Sequence, residues 1–348
     1  MTRTTDTRPA ATTQVAHHRI EVSLAEPFTS NTGVTTHVRQ SLLRLRWEGL
    51  TGYGTALAAD SGELAACVPL LADATPYDLR RVLDALRAAE VRPAVAAAVD
   101  LALHDLLGKA VGRPLHRLLG LGGLPLAPTA LSIGAGSEEE LLSKGVEFGD
   151  WPILKLKLTP DDDGSRAGVL RSVYGGRIWV DGNGSWTPEQ ALDVAGELAR
   201  HGVELLEQPV PRGDLESLGQ VHRRSPVPVV ADEDCVLPED VLPLRGRASA
   251  VNIKLTKCGG LRAALDMITL ARQSGLRVLL GCKTESALGV TAMAQLAPLA
   301  DLLDLDGHLG LLDDPFSGVV IDRGRIVLPD DPGLGARSRP DSENTWEN

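Results

Sequence analysis

The sequence predicts an α/β protein: a (β/α)8 barrel of the TIM type, capped by an N-terminal α+β domain. Three observations carry that prediction. After Pro125, short apolar runs alternate with helical stretches at a repeat of about 25 residues, the rhythm of successive βα units. The polar residues closing five successive runs, Lys157, Asp181, Glu207, Asp232 and Lys254, lie 24, 26, 25 and 22 positions apart, one unit per step. Ahead of this region the order is strands and then helices, which marks a separate α+β unit. A doubly wound open sheet is the rival, but no GxGxxG follows the first run.

The elements follow in order. Residues 1–17, rich in Thr and Arg, read as a disordered tail. The capping domain is expected over 18–124. It begins with a meander through His37–Trp47 and Leu50–Leu57, the latter broken by Gly52 and Gly54. Helical spacing follows over Pro76–Ala89 and Pro93–Lys109, each with Pro at its start. The barrel is expected over 125–307. Its strands are Thr129–Ile133, Ile153–Leu158, Arg177–Val180, Glu204–Leu206, Val227–Val230, Ala250–Lys254, Arg277–Leu280 and Leu302–Leu305. Residues 308–335 return to short strands that pack back on the cap, and 336–348 read as a tail.

Composition narrows the function. Hydrophobic residues make up 43% of the 348, a globular content carried by Ala, Leu and Val, since aromatics are only 3%. A net charge of −11 with no basic run excludes nucleic acid as a partner. Cys67, Cys235, Cys258 and Cys282 form no CxxC pair, so zinc and redox motifs are not expected. The N-terminus has no apolar core and no stretch is long enough to span a bilayer. A soluble cytoplasmic enzyme acting on a small molecule is the expectation, with a homo-oligomer as the prior for assembly.

The run Ile153–Leu158 alternates aliphatic residues with Lys155 and Lys157, which therefore share one face of a strand. Two ammonium groups on one face repel each other and lose water, and both effects favour a neutral amine able to take a proton. In isolation such a run reads equally as an edge strand bearing protective lysines. Its setting decides. Barrels of this type place chemistry at the C-terminal strand ends, where Asp181, Glu207 and Asp232 arrive on three successive strands. Singly these acids suit a turn, a turn proline and a helix cap. Together they repel unless a divalent cation holds them, and oxygen-only ligands suit Mg²⁺. Lys157 and Lys254, on the second and sixth strands, then face each other across the axis. A carboxylate substrate between them could lose its α-proton to one and regain it from the other on the opposite face, with a metal-stabilised enediolate between the two steps.

The motifs KLK at 155–157, DGN at 181–183, EQP at 207–209, ADE at 231–233 and NIKLTKCGG at 252–260 resemble the enolase superfamily, muconate lactonizing enzyme subgroup. A lysine base with a Mg²⁺-bound enediolate is an established pattern of that superfamily. The resemblance implies an enolase-like modified barrel, Asp181, Glu207 and Asp232 as Mg²⁺ ligands, and Lys157 and Lys254 as the acid/base pair. It further implies that Lys155 hydrogen-bonds the substrate carboxylate, that Asn183 supports the site, and that Glu285 sets the charge of the strand 6 lysine.

Asp304-Leu305-Asp306 closes the eighth strand with two carboxylates on one face. This DxD resembles the dipeptide epimerases, in which it binds the free amino terminus of the substrate. The resemblance therefore implies a Mg²⁺-dependent dipeptide epimerase that inverts the α-carbon of the C-terminal residue. An N-acylamino acid racemase or o-succinylbenzoate synthase, and a muconate-type cycloisomerase, share the half-reaction. A non-catalytic relative would be expected to lack one of the five residues present here. The loop Pro27–Gly33 resembles the family's specificity loop but lacks the arginine that Ala-Glu epimerases carry there, with Gly33 in its place. Lys283 either supplies the missing charge or pairs with Glu285 or Asp306.

Overall fold

A computed structural model describes residues 12–31 and 33–340. The chain opens with an antiparallel sheet in the order β1 (Gln14–Ser30), β2 (Gly33–Trp47), β3 (Leu50–Leu57). Two expectations change here. Gln14–His17 belong to β1, paired with Leu43–Arg46 of β2, so the N-terminal tail is shorter than 1–17; residues 1–11 lie outside those described. Ladder hydrogen bonds and the burial of Ala16 order a segment whose composition alone reads as disordered. The expected loop at 27–33 is instead the tip of a long hairpin: Phe28–Ser30 pair with Gly33–Thr35 beyond an irregularity between Ser23 and Phe28.

Strand β3 runs unbroken through Gly52 and Gly54. A Cβ on either would collide with the carbonyls of Ala102 or Ala98, so both glycines let the helix Pro93–Val111 lie directly on the sheet. That helix is apolar nearly all round and buried, and it ends at Gly112 in the left-handed conformation, φ 70°. It is the packing layer between cap and barrel. Asp100 from its middle accepts the Leu261 N–H that opens the helix Leu261–Gln273 of the barrel wall.

The barrel strands are β4 (Leu131–Ile133), β5 (Ile153–Lys157), β6 (Arg177–Asp181), β7 (Val203–Glu207), β8 (Val229–Ala231), β9 (Ala250–Ile253), β10 (Arg277–Gly281) and β11 (Leu302–Asp304). They pair in parallel in chain order. Thr129, just ahead of β4, bridges Leu303 of β11, and Ala130 N donates to Leu303 O at 2.9 Å, which closes the ring. Each expected strand is found within two residues of its place. Strand β8 starts later than expected, at Val229, because Pro228 has no N–H to give the ladder.

Beyond the barrel, β12 (Phe316–Ser317) pairs with β15 (Arg337–Ser338), and β13 (Val320–Asp322) with β14 (Arg325–Val327). The expected tail at 336–348 therefore begins with a strand; residues 341–348 lie outside those described. This segment ties cap to barrel. Leu312 N donates to Ser23 O, Ala25 N to Gly310 O, and Leu334 N to Asp105 Oδ1 of the long cap helix. Among the described residues no helix is long and apolar enough to cross a membrane.

Candidate active site

Strand periodicity stacks the barrel interior in layers. Ala130, Ile153, Trp179, Leu205, Val230, Ala250, Leu279 and Leu302, one from each strand or its approach, form a buried apolar floor. Two residues further along the chain, the next inward-facing layer is Ser132, Lys155, Asp181, Glu207, Asp232, Asn252, Gly281 and Asp304. The ladder sets Ser132 opposite Lys155, Asp181 opposite Glu207 and Gly281 opposite Asp304, and it brings Lys157, one step further along β5, opposite Asp181. Gly281 carries no side chain because the Asn252 amide fills the space a Cβ would need.

Asp181, Glu207 and Asp232 are fully buried, and each offers a carboxylate oxygen within 4.8 Å of the others. Burial opposes charge on Asp181, yet Lys157 and Lys155 hold it well below the ordinary carboxylate range. Asp232 is likewise held low against burial, by Lys254 and Lys257. Glu207 is pushed up to about 7 by burial, with Asp181 and Asp232 adding to the shift and Lys155 working against it. Burial is the main cause, and the two ionised acids beside Glu207 add to it. A hard divalent cation fits such an all-oxygen set and would return Glu207 to its anionic form.

Four lysines surround the triad. Lys155 Nζ lies 2.7 Å from Asp304, 2.8 Å from Glu207 and 3.3 Å from Asp181. Lys157 Nζ is 2.5 Å from Asp181 Oδ2, and Lys254 Nζ is 2.7 Å from Asp232 Oδ2. The expectation that Lys155 is driven toward its neutral form is overturned. Burial does oppose its charge, but Asp304, Glu207 and Asp181 outweigh burial and hold the ammonium well above the usual lysine range. Lys254 is raised in the same way, by Asp232 and Glu207 against burial. The sequence pattern reveals the neighbouring lysine on the same strand but not the carboxylates that neighbouring strands deliver.

Lys157 and Lys254 open onto a cavity of about 600 Å³ between the barrel mouth and the β1–β2 hairpin; Asn183, Lys283, Asp304 and Asp306 line it with them. Lys155 is set beneath, 1% exposed, in the carboxylate layer. Asn183, φ 43°, donates its N–H to Asp181 Oδ1 and its amide to Glu233. Its carbonyl accepts from Asn31 Nδ2 at 2.8 Å, which anchors the hairpin tip over the site. Asp306 Oδ2 accepts the Ser132 N–H at 2.6 Å, and burial with Asp304 close by raises its carboxyl to about 6. Lys283 pairs with neither of its expected partners. The Glu285 carboxylate takes the Lys283 backbone N–H instead, at 3.2 Å, and burial lifts that acid to about 7.

Several site residues escaped the sequence reading. Lys257 reaches Asp232 Oδ1 at 2.5 Å and the Asn252 carbonyl at 3.0 Å. Asn252 donates to Glu207 Oε1 at 2.8 Å. Both lie in NIKLTK, where the three-residue step from Lys254 to Lys257 along a one-turn helix was the available signal. Glu233 directly follows Asp232. Asn31, 152 positions from Asn183, left no local signal.

Known proteins resemble this chain in sequence and fold. Residues 11–120 match the mandelate racemase/muconate lactonizing enzyme N-terminal domain, and residues 139–342 match the enolase C-terminal domain-like family. The L-Ala-D/L-Glu epimerase of Bacteroides thetaiotaomicron is 37% identical over 326 residues, 90% of this chain and 85% of that protein. The hydrophobic dipeptide epimerase of Roseobacter litoralis is 31% identical over 343 residues, 92% of this chain and 98% of that one. In structure, the Enterococcus faecalis dipeptide epimerase complexed with Mg and L-Leu-L-Tyr superimposes with a TM-score of 0.89 at 29% identity, over 94% of this chain and 100% of that one. With both domains matched, the chain belongs to the mandelate racemase/muconate lactonizing enzyme family of the enolase superfamily.

Proposed function

We propose that this chain is a Mg²⁺-dependent dipeptide epimerase, an isomerase that inverts the α-carbon of the C-terminal residue of a dipeptide by two-lysine proton transfer. One observation carries the reading. Lys157 and Lys254 stand on β5 and just past β9, half a barrel apart, each held against an acid of one buried carboxylate triad. Two amines on opposite sides of one bound carbon can take a proton from one face and return it to the other. The named relatives and the Mg- and dipeptide-bound structural neighbour support the same reaction class.

Asp181, Glu207 and Asp232 would hold the Mg²⁺. When bound, it supplies a fixed positive charge beside the substrate carboxylate, which favours charge developing there as the α-proton leaves. Lys155, clamped among Asp304, Glu207 and Asp181, adds a second permanent positive charge to that layer. Asp304, with one oxygen on Lys155, and Asp306 both line the cavity and offer carboxylate for the substrate ammonium. Asn183 braces Asp181 from its backbone and, through Asn31, the hairpin that covers the cavity and excludes water. Free thiols at all four cysteines suit a cytoplasmic setting, and a homo-oligomer remains the prior for assembly.

The test is α-proton exchange in D₂O. The Mg²⁺-loaded protein is incubated with L,L-dipeptides and with N-succinyl amino acids, and mass spectrometry counts added deuterium. One deuterium in dipeptides is the expected result. Exchange confined to the succinyl compounds would move the chain to the racemases, and exchange in neither would overturn the assignment.

A further inference from the structure

Membership in the family leaves the substrate side chains open, since relatives named for Glu and for hydrophobic dipeptides match comparably. Charge placement in the cavity discriminates between them. Lys155, Lys157, Lys254 and Lys257 each have a carboxylate within 2.8 Å, and Lys144 at the cavity rim holds Glu26 at 2.9 Å. Lys283 also lines the cavity, but its ammonium makes no ion pair or hydrogen bond among the described residues. Lys254, a like charge, weighs most on it, with burial acting in the same direction, while Asp232 and Glu233 offset part of the effect from beyond contact distance. A buried ammonium with a like charge as its strongest influence and no carboxylate in contact is placed to accept an anion from the cavity.

The backbone beneath Lys283 is held firmly. Its N–H is taken by Glu285 Oε1, Glu285 N donates to Gly307 O at 3.2 Å, and Gly307 N donates to Cys282 Sγ at 3.3 Å. Gly307 packs so closely on the Lys283 carbonyl that a Cβ there would collide with it. The stem is thus fixed while the charge stays open to the cavity.

We infer that Lys283 binds the side-chain carboxylate of an acidic C-terminal residue, so that Xaa-Glu and Xaa-Asp dipeptides are the substrate class; this rests on the epimerase reading above. Position selects that side chain. Lys283 follows β10 by two residues, between Lys254, which faces the reacting carbon, and the Asp304/Asp306 pair on the next strand, which takes the ammonium. Asp306 is tied to Ser132, and Leu131, Trp151 and Leu309 also line the cavity, apolar surface suited to the first residue's side chain. The hairpin offers no alternative cation. Of its cavity-lining residues between 24 and 35, Glu26 alone is charged, and Lys144 already pairs with it.

The test compares kcat/KM for L-Ala-L-Glu and L-Ala-L-Gln, near-isosteres that differ in charge. The wild-type protein is expected to favour Glu by roughly ten- to hundredfold, the worth of one charge-assisted hydrogen bond. In Lys283→Met that ratio falls to near one, with most of the loss in KM for Glu, while Lys283→Arg retains the preference. Residual turnover of the Gln dipeptide reports that the Met variant is folded; if it does not fold, the wild-type ratio and the Arg variant still decide. A wild-type ratio near one, or a ratio unchanged in Lys283→Met, overturns the Lys283 assignment and leaves the epimerase standing. Exchange in no dipeptide overturns both.

Discussion

The barrel mouth divides into two unlike arcs. From β5 to the turn after β9, each lysine sits against a carboxylate, at 2.5 to 2.8 Å: Lys155 with Glu207 and Asp304, Lys157 with Asp181, Lys254 and Lys257 with Asp232. From β10 through β11 the matching is incomplete, with only one oxygen of Asp304 taken by Lys155. Lys283 is unpaired among the described residues, Asp304 Oδ1 has no hydrogen-bond donor, and Asp306 meets a backbone N–H. Buried pairs hold one another in place before substrate arrives, which is what positioning for proton transfer requires. Charges left open await a partner from outside, and that is the property of a recognition surface.

Breaking the first arc should have the largest effect. Lys157→Ala is expected to lower α-proton exchange by about 10² to 10⁴-fold, the usual range for a general acid/base, while the thermal unfolding midpoint stays within a few degrees of the parent. Exchange at the parent rate would show that the assigned base is wrong. Breaking the second arc is expected to do less. Asp306→Asn should reduce dipeptide turnover about ten- to hundredfold through the lost charge-assisted contact, with Mg²⁺ affinity kept; undiminished epimerisation would remove the ammonium-binding role.

The smallest effect sharpens the contrast through stability. Glu285, on the recognition side, has no lysine salt bridge, and burial raises its folded-state value to about 7. Between its unfolded value near 4.5 and about 7, the folded chain keeps a proton that the unfolded chain has lost, so stability falls as pH rises through that window. Urea unfolding of the metal-free protein at pH 5 and pH 8 should register a decrease of several kcal/mol, of which Glu285→Gln removes a share on the order of 2 kcal/mol. Glu207, raised to about 7, and Asp306, raised to about 6, act in the same window with the same sign, whereas Asp181 and Asp232, held low by lysines, act only below the ordinary carboxylate range. A pH-independent stability in the parent would contradict the buried state of Glu285.

Much of the site was legible because a barrel repeats. Once a strand is located, its period of two and the unit length near 25 residues assign the polar closing residue, and Asp181, Glu207, Asp232, Lys157 and Lys254 all follow from that rule. What period and spacing lack is the third direction. Lys155 and Lys157 look alike along the strand, yet one is sealed among three carboxylates and the other opens to the cavity. Gly52 and Gly54 look like strand breaks until the helix they accommodate is in place.

The sequence by itself determined the barrel, its cap, the triad of acids and the facing lysines, because backbone periodicity is local and the chemistry lies at strand ends. Only the tertiary structure decided which charges are matched and which are open. Lys155 finds Asp304 across 149 positions, Asn31 finds Asn183 across 152, and Lys283 finds no partner among the described residues. Such pairings depend on ring closure between Thr129 and Leu303 and on the hairpin folding back over the mouth, long-range events with no local signal in the sequence.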